Sequence, residues 1–112
     1  MGLDLEVLEL KSGSHGDREQ GVCLMEAVAW FNNEKHSDHP QCACPVLTSF
    51  GIGLNDRFDA EYRQKLKPFI PRLVGSRNPA LERRRGEFLL DPSRKLARGA
   101  EGLAALLRYY AG

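Results

Sequence analysis

With 112 residues, 42% of them hydrophobic and 28% charged, the chain has the make-up of one soluble globular domain around one modest core. No apolar run approaches the ~20 residues that a helix needs to cross a bilayer, which excludes a helical membrane protein. Three cysteines, an odd number, argue against a disulfide scaffold, and the first residues are acidic where a secretion signal is basic. Both observations point to a reducing cytoplasm. The net charge of +1 hides a division: residues 1–62 carry 4 Lys/Arg against 11 Asp/Glu, and residues 63–112 carry 12 against 4. Such asymmetry means either a basic surface for nucleic acid or an acidic partner, or two halves that attract each other inside one fold. The basic half brings no exposed aromatic platform, which favours internal attraction.

In chain order, the first element is LDLEVLEL (3–10). Leu3, Leu5 and Val7 alternate with acids, as in an extended strand-like arm, while Leu3, Val7 and Leu10 also fit one side of a short helix. With no second convincing strand, the arm either lies across the helices or pairs with another copy of the chain to give a homodimer. The polar turn at 11–16, KSGSHG, could offer backbone N–H groups to an anion, but it lacks the full phosphate-loop pattern. Asp17 or Ser14 is the expected cap of the next helix, with Gly21 near its start.

Residues 22–31 are apolar or small except Glu26, and this is the stretch the rest must pack around. Leu24, Met25, Ala27 and Ala29 favour helix over strand, and Asn32-Asn33 ends it. A helix apolar on all sides is buried, so its one acid must be paired, protonated or at a wet edge. Cys23 and Glu26 share a face at helical spacing. Next comes His36-Ser37-Asp38-His39-Pro40-Gln41-Cys42-Ala43-Cys44-Pro45, rich in the ligand types zinc prefers. The spacing H-x2-H-x2-C-x-C is not a usual zinc-finger pattern, so the loop is read first as a structural bend, with a zinc site on Cys23, His36, His39, Cys42 and Cys44 as the sharper alternative. Pro45 opens a second helix at about 45–51, ended by Gly51 and Gly53, with Cys44 near its N-cap. There a helix end lowers a thiol pKa, so a Cys44 thiolate nucleophile served by a nearby histidine is conceivable, although a buried structural cysteine is favoured.

Asn55 or Asp56 starts the next helix, with Phe58, Tyr62 and Leu66 on its inner face, until Pro68 and Pro71 interrupt it. Gly75-Ser76 closes that unit. Asn78-Pro79 opens another helix, on which Arg83, Arg84 and Arg85 point about 100° apart and cannot all face one ligand. Asp91-Pro92 begins a last amphipathic helix carrying Leu96, Leu103, Leu106, Leu107 and Tyr110. The expected fold is therefore all-α: one compact domain of four or five short helices with an extended N-terminal arm. It divides into arm and turn (1–16), core unit (17–75) and C-terminal helices (76–112).

The motifs KSGSH (11–15), GVCLMEAVAW (21–30), HSDHPQCACPV (36–46), LND (54–56) and IPRLVG (70–75) together resemble a group of small bacterial and phage-associated proteins with no assigned activity. The resemblance covers roughly residues 10–77. It implies a shared fold and a shared site around these segments and lends no reaction.

Three functions follow as expectations. The first is a small helical binding module, phage- or mobile-element-related, contacting a protein or nucleic acid, with His15, Arg83, Arg84 and Arg85 as binding residues. The second is a small enzyme or metal-binding protein in which Glu26 is a general base with a raised pKa, His39 a proton carrier or ligand and Asp38 its orienter. The third is a structural assembly component.

Overall fold

The computed structural model describes residues 3–90, 102–104 and 107. In order, the elements are α1 (Leu24–Phe31), α2 (Pro45–Arg57), α3 (Ala60–Arg63), a 3₁₀ turn (Gln64–Phe69), α4 (Ile70–Leu73) and α5 (Pro79–Leu90). Residues 102–104 and 107 are also helical, and no described residue is in a strand. The fold is all-α, and no described helix is long and apolar enough to cross a membrane. Most of the last expected helix, from Asp91 onward, lies outside the described residues, but Leu103 and Leu107 belong to the core.

α1 is the axis of the molecule. It packs against α2 and α4, and α2 in turn packs against α5. Leu24, Met25, Glu26, Ala27, Val28 and Ala29 are all buried, as a helix without a polar face requires. The cap is neither Asp17 nor Ser14. Cys23 holds that position: its Sγ accepts the Glu26 N–H at 3.5 Å while Glu26 Oε1 accepts the Cys23 N–H at 2.9 Å. This is a capping box built with a thiol in place of the usual hydroxyl. The helix stops where expected, with Asn33 in the left-handed region at φ 57.

α2 begins at Pro45, as read from the sequence, but runs on through Gly51 and Gly53 to Arg57. Gly51 is there for closeness rather than as a stop. A Cβ on it would lie 3.2 Å from Leu24 Cδ2 and 3.3 Å from Met25 Sδ, so the missing side chain lets α2 approach α1. Because the helix continues, Asn55 and Asp56 lie inside it and do not start the next helix. The next cap is Asp59, whose side chain accepts the Tyr62 N–H at 2.7 Å. Pro68 falls inside the 3₁₀ turn, where the chain changes from α3 to α4. α5 starts as expected, with Asn78 Oδ1 accepting the Ala80 N–H at 3.1 Å.

The N-terminal arm is neither strand nor helix. It lies across the helices of its own chain, with Leu10 buried and Leu3, Leu5 and Leu8 packed on the core. Side chains from the 3₁₀ turn satisfy three of its backbone groups. Gln64 Oε1 accepts the Leu10 N–H at 2.8 Å, Gln64 Nε2 donates to Leu10 O at 3.0 Å, and Lys67 Nζ donates to Leu8 O at 2.9 Å. One glutamine amide thus does for Leu10 what a neighbouring strand would do.

Candidate functional site

The lone acid of α1 sits in a cage of donors. Glu26 is 1% exposed. Its Oε1 accepts from His15 Nδ1 at 2.8 Å and from the Cys23 N–H at 2.9 Å. Its Oε2 accepts the His15 N–H at 2.7 Å and faces His36 Nε2 at 3.2 Å. His15 reaches it because the 11–16 turn folds back over α1. The ring lies against Gly21, where a Cβ would come within 3.0 Å of His15 Nε2, and Gly21 takes a φ of 139 that glycine tolerates best.

His36 comes from the other side. Its Nε2 also contacts His15 O at 2.8 Å, so both of its neighbours are acceptors and this nitrogen carries the hydrogen. Its Nδ1 is buried without a hydrogen-bond partner among the described residues. Residues 11–16, α1 and the 36–42 loop are therefore tied at one carboxylate. Burial pushes the Glu26 carboxyl up, but the hydrogen bonds from the His15 ring, the Cys23 N–H, the His15 N–H and the Cys23 side chain outweigh it and leave its pKa below the ordinary value. This direction is opposite to the raised pKa expected of a general base, and each oxygen of the Glu26 carboxylate already has two neighbouring nitrogens.

The KSGSH turn does receive anions, but they are the protein's own. The Gly13 N–H donates to Asp56 Oδ1 at 2.7 Å, as the His15 N–H does to Glu26. Beside it, Asn55 is fully buried. Its Oδ1 accepts the Leu24 N–H at 3.1 Å, at the start of α1, and its Nδ2 donates to Lys11 O at 2.8 Å. Arg63 Nε closes the network on Asn55 O at 2.6 Å.

A second clamp centres on Glu34, which the sequence reading passed over. Its carboxylate accepts the Gln41 N–H at 2.7 Å, the Cys42 N–H at 3.3 Å and Asn32 Nδ2 at 2.9 Å. Here too burial raises the pKa, while the Cys42 thiol, the Asn32 amide and the two backbone donors lower it further, so the net direction is down. The clamp backs a polar cleft of about 630 Å³ whose walls include Lys35, His36, Ser37, His39 and Gln41. At its rim His39 Nδ1 meets Asp38 Oδ1 at 2.7 Å, the pairing expected of an orienter and a proton carrier. Neither residue is among the partners of Glu26, so the three expected catalytic residues form two separate groups.

Of the five residues of the alternative zinc reading, His36, His39 and Cys42 border one cleft, while Cys23 and Cys44 are buried in the core. Among the described residues no group of three or more His, Cys, Asp or Glu side chains is placed to hold a metal ion. Cys23 caps α1, and burial pushes its thiol up to about 12. Cys42 lies on Glu34 and is pushed up to about 11, first by burial and then by that carboxylate. Cys44 is the N-cap residue of α2 but is fully buried, with its N–H on Ser76 Oγ at 3.0 Å, so it is closed to a substrate.

The two charge-opposed halves do meet, and among the described residues hydrogen bonds to backbone carbonyls rather than ion pairs join them. Arg63 donates to Asn55 O and Phe58 O, Lys67 to Leu8 O, and Arg77 to Gln41 O. Lys65, Lys67, Arg72, Arg77 and Arg84 form no ion pair with any described carboxylate, and Arg83 pairs within its own helix with Glu87 at 2.9 Å. Of the arginine triplet, Arg83 and Arg84 are exposed and Arg85 is buried, its Nη1 on Ser76 O at 2.8 Å. As the helical geometry requires, the three do not act as one patch.

No family model, no curated protein and no solved structure matches this chain.

Proposed function

We propose that the protein is a small helical binding module, of the phage-associated kind its motifs resemble, and that it contacts nucleic acid with the basic second half of the chain. The observation that carries this reading is where the cations of that half spend their hydrogen bonds. Arg63, Lys67 and Arg77 reach across the fold to backbone carbonyls and pair with no described carboxylate of the acidic half. Lys65 and Arg72 also lie over the aromatic rings of Tyr62 and Phe69, at 4.6 and 5.3 Å from the ring centroids. Cations held in this way keep a field that attracts a polyanion.

Binding of a labelled oligonucleotide, single-stranded or duplex, is read by fluorescence anisotropy against salt. If Lys65, Arg72 and Arg77 each neutralise one phosphate, duplex affinity falls about 40-fold between about 50 and 200 mM salt. Absent binding, or binding indifferent to salt, removes the reading.

The Asp38–His39 pair over its polar cleft supports a second reading, acid–base chemistry on a small polar substrate. A panel of chromogenic esters and phosphate esters, compared between the wild type and His39→Gln, decides it; turnover equal in the two disposes of it.

A further inference from the structure

Three arginines contribute to the walls of one small cleft at the turn from α4 into α5. It measures about 190 Å³, its walls include Arg72, Ser76, Arg77, Asn78, Arg85 and Leu107, and none of the described residues lining it is acidic. Arg85 forms a fixed wall, 2% exposed and tied to Ser76 O at 2.8 Å. Arg77 is exposed but pinned at its root. Its N–H donates to Cys42 O at 3.1 Å, and its Nη1 reaches Gln41 O at 3.3 Å. Arg72, the third arginine of the cleft, is exposed and lies over the Phe69 ring. The first turn of α5 is already served by the Asn78 side chain, so the attraction for an anion comes from the guanidiniums and not from the helix end.

Size and chemistry narrow the ligand. The volume is below the ~300–1,000 Å³ of sites that enclose a whole small molecule. At ~30 Å³ per water it has room for about six waters, enough for one phosphate group with part of its hydration. Planar guanidiniums match phosphate oxygens in pairs, and on the nucleic-acid reading the anion on offer is a phosphate. We propose that this cleft grips one backbone phosphate of a nucleic-acid strand and so sets where the strand crosses the protein. The inference rests on the nucleic-acid reading above.

The test has two arms. In the first, inorganic phosphate is titrated at constant ionic strength while the arginine Nε–Hε signals are followed by NMR. Saturable shifts at Arg72 and Arg77 that chloride does not produce are expected, and unmoved signals overturn the cleft. In the second, the oligonucleotide assay is repeated on Arg72→Gln/Arg77→Gln, with Arg83→Gln/Arg84→Gln for comparison and thermal melts to verify folding. The cleft variant is expected to lose roughly tenfold in affinity and to show a salt slope shallower by about two, the other variant less on both counts. A wild type that binds steeply with salt while the cleft variant matches it overturns the cleft alone. A wild type that binds no oligonucleotide overturns the nucleic-acid reading and this inference with it.

Discussion

Glu26→Gln puts the carboxylate cage to a direct test. The carboxylate has two donors at each oxygen: His15 Nδ1 and the Cys23 N–H at Oε1, and the His15 N–H and His36 Nε2 at Oε2. A glutamine amide keeps one acceptor oxygen and replaces the other with an NH₂ group. If the NH₂ takes the Oε1 position it faces the Cys23 N–H, and if it takes the Oε2 position it faces the His15 N–H. A ring nitrogen can change tautomer to suit, but a backbone N–H cannot. Either orientation therefore strands at least one backbone donor in a site that is 1% exposed. Stranding a buried donor costs ~1–3 kcal/mol, and losing the charge on the remaining bonds brings the total to ~3–5 kcal/mol. Against the ~5–15 kcal/mol that holds a domain of this size, that is a large share, and it lowers Tm by about 10–20 °C.

Urea unfolding read by Trp30 fluorescence measures the loss, with Glu19→Gln on the exposed turn as a control expected to stay within ~0.5 kcal/mol. The pH dependence has a definite sign. The folded-state pKa of Glu26 is lowered, so its contribution is complete above the ordinary carboxylate range and disappears as pH falls through the folded value. The stability curves of wild type and Glu26→Gln should therefore converge in acid. A loss under ~1 kcal/mol at neutral pH, or curves that stay parallel into acid, would show that the cage does not hold the two flanking segments to α1.

Two further substitutions probe what surrounds the cage. Asn55→Ala removes the acceptor of the Leu24 N–H and the donor to Lys11 O, and calorimetry should show a loss of ~2–4 kcal/mol; a change typical of a surface site would mean water takes over both bonds. The Cys42 thiol, raised from 9.0 to about 11, holds about a hundredfold less thiolate at pH 8 than an ordinary cysteine, so Ellman's reagent should label it slowly in the folded protein and fast in urea. Glu34→Gln should accelerate that labelling by removing the carboxylate beside the sulfur, and an unchanged rate would place the cause in burial alone.

The polar residues divide sharply by how far away their partners are. Glu26 stood out in the sequence because an acid inside an apolar helix has to be answered. Its need was legible, but its partners were not: His15 lies 11 residues earlier, and His36 arrives from the loop beyond α1. Glu34 and Gln64 look like ordinary surface residues, and Asn55 like a helix start, until a backbone N–H from elsewhere in the chain is brought to each. Gln64 serves Leu10 across 54 residues, and no local pattern encodes such a bond. The cysteines show the same limit of local spacing. Closeness within HSDHPQCACP offered a shared ligand as the alternative to a structural bend, while folding sends Cys42 to Glu34 and Cys44 into the core, and Cys23 caps α1.

The letters alone settled the helical character, the burial of residues 24–29 and the breaks at Asn32-Asn33 and Asn78-Pro79, because propensity, capping and apolar periodicity act within a few residues of chain. Only tertiary structure decided that α2 runs through Gly51, whose bare Cα lets Leu24 and Met25 approach. Tertiary structure also fixed the state of Glu26, because a carboxylate's protonation depends on which donors the closed fold delivers to it and not on its neighbours in the chain.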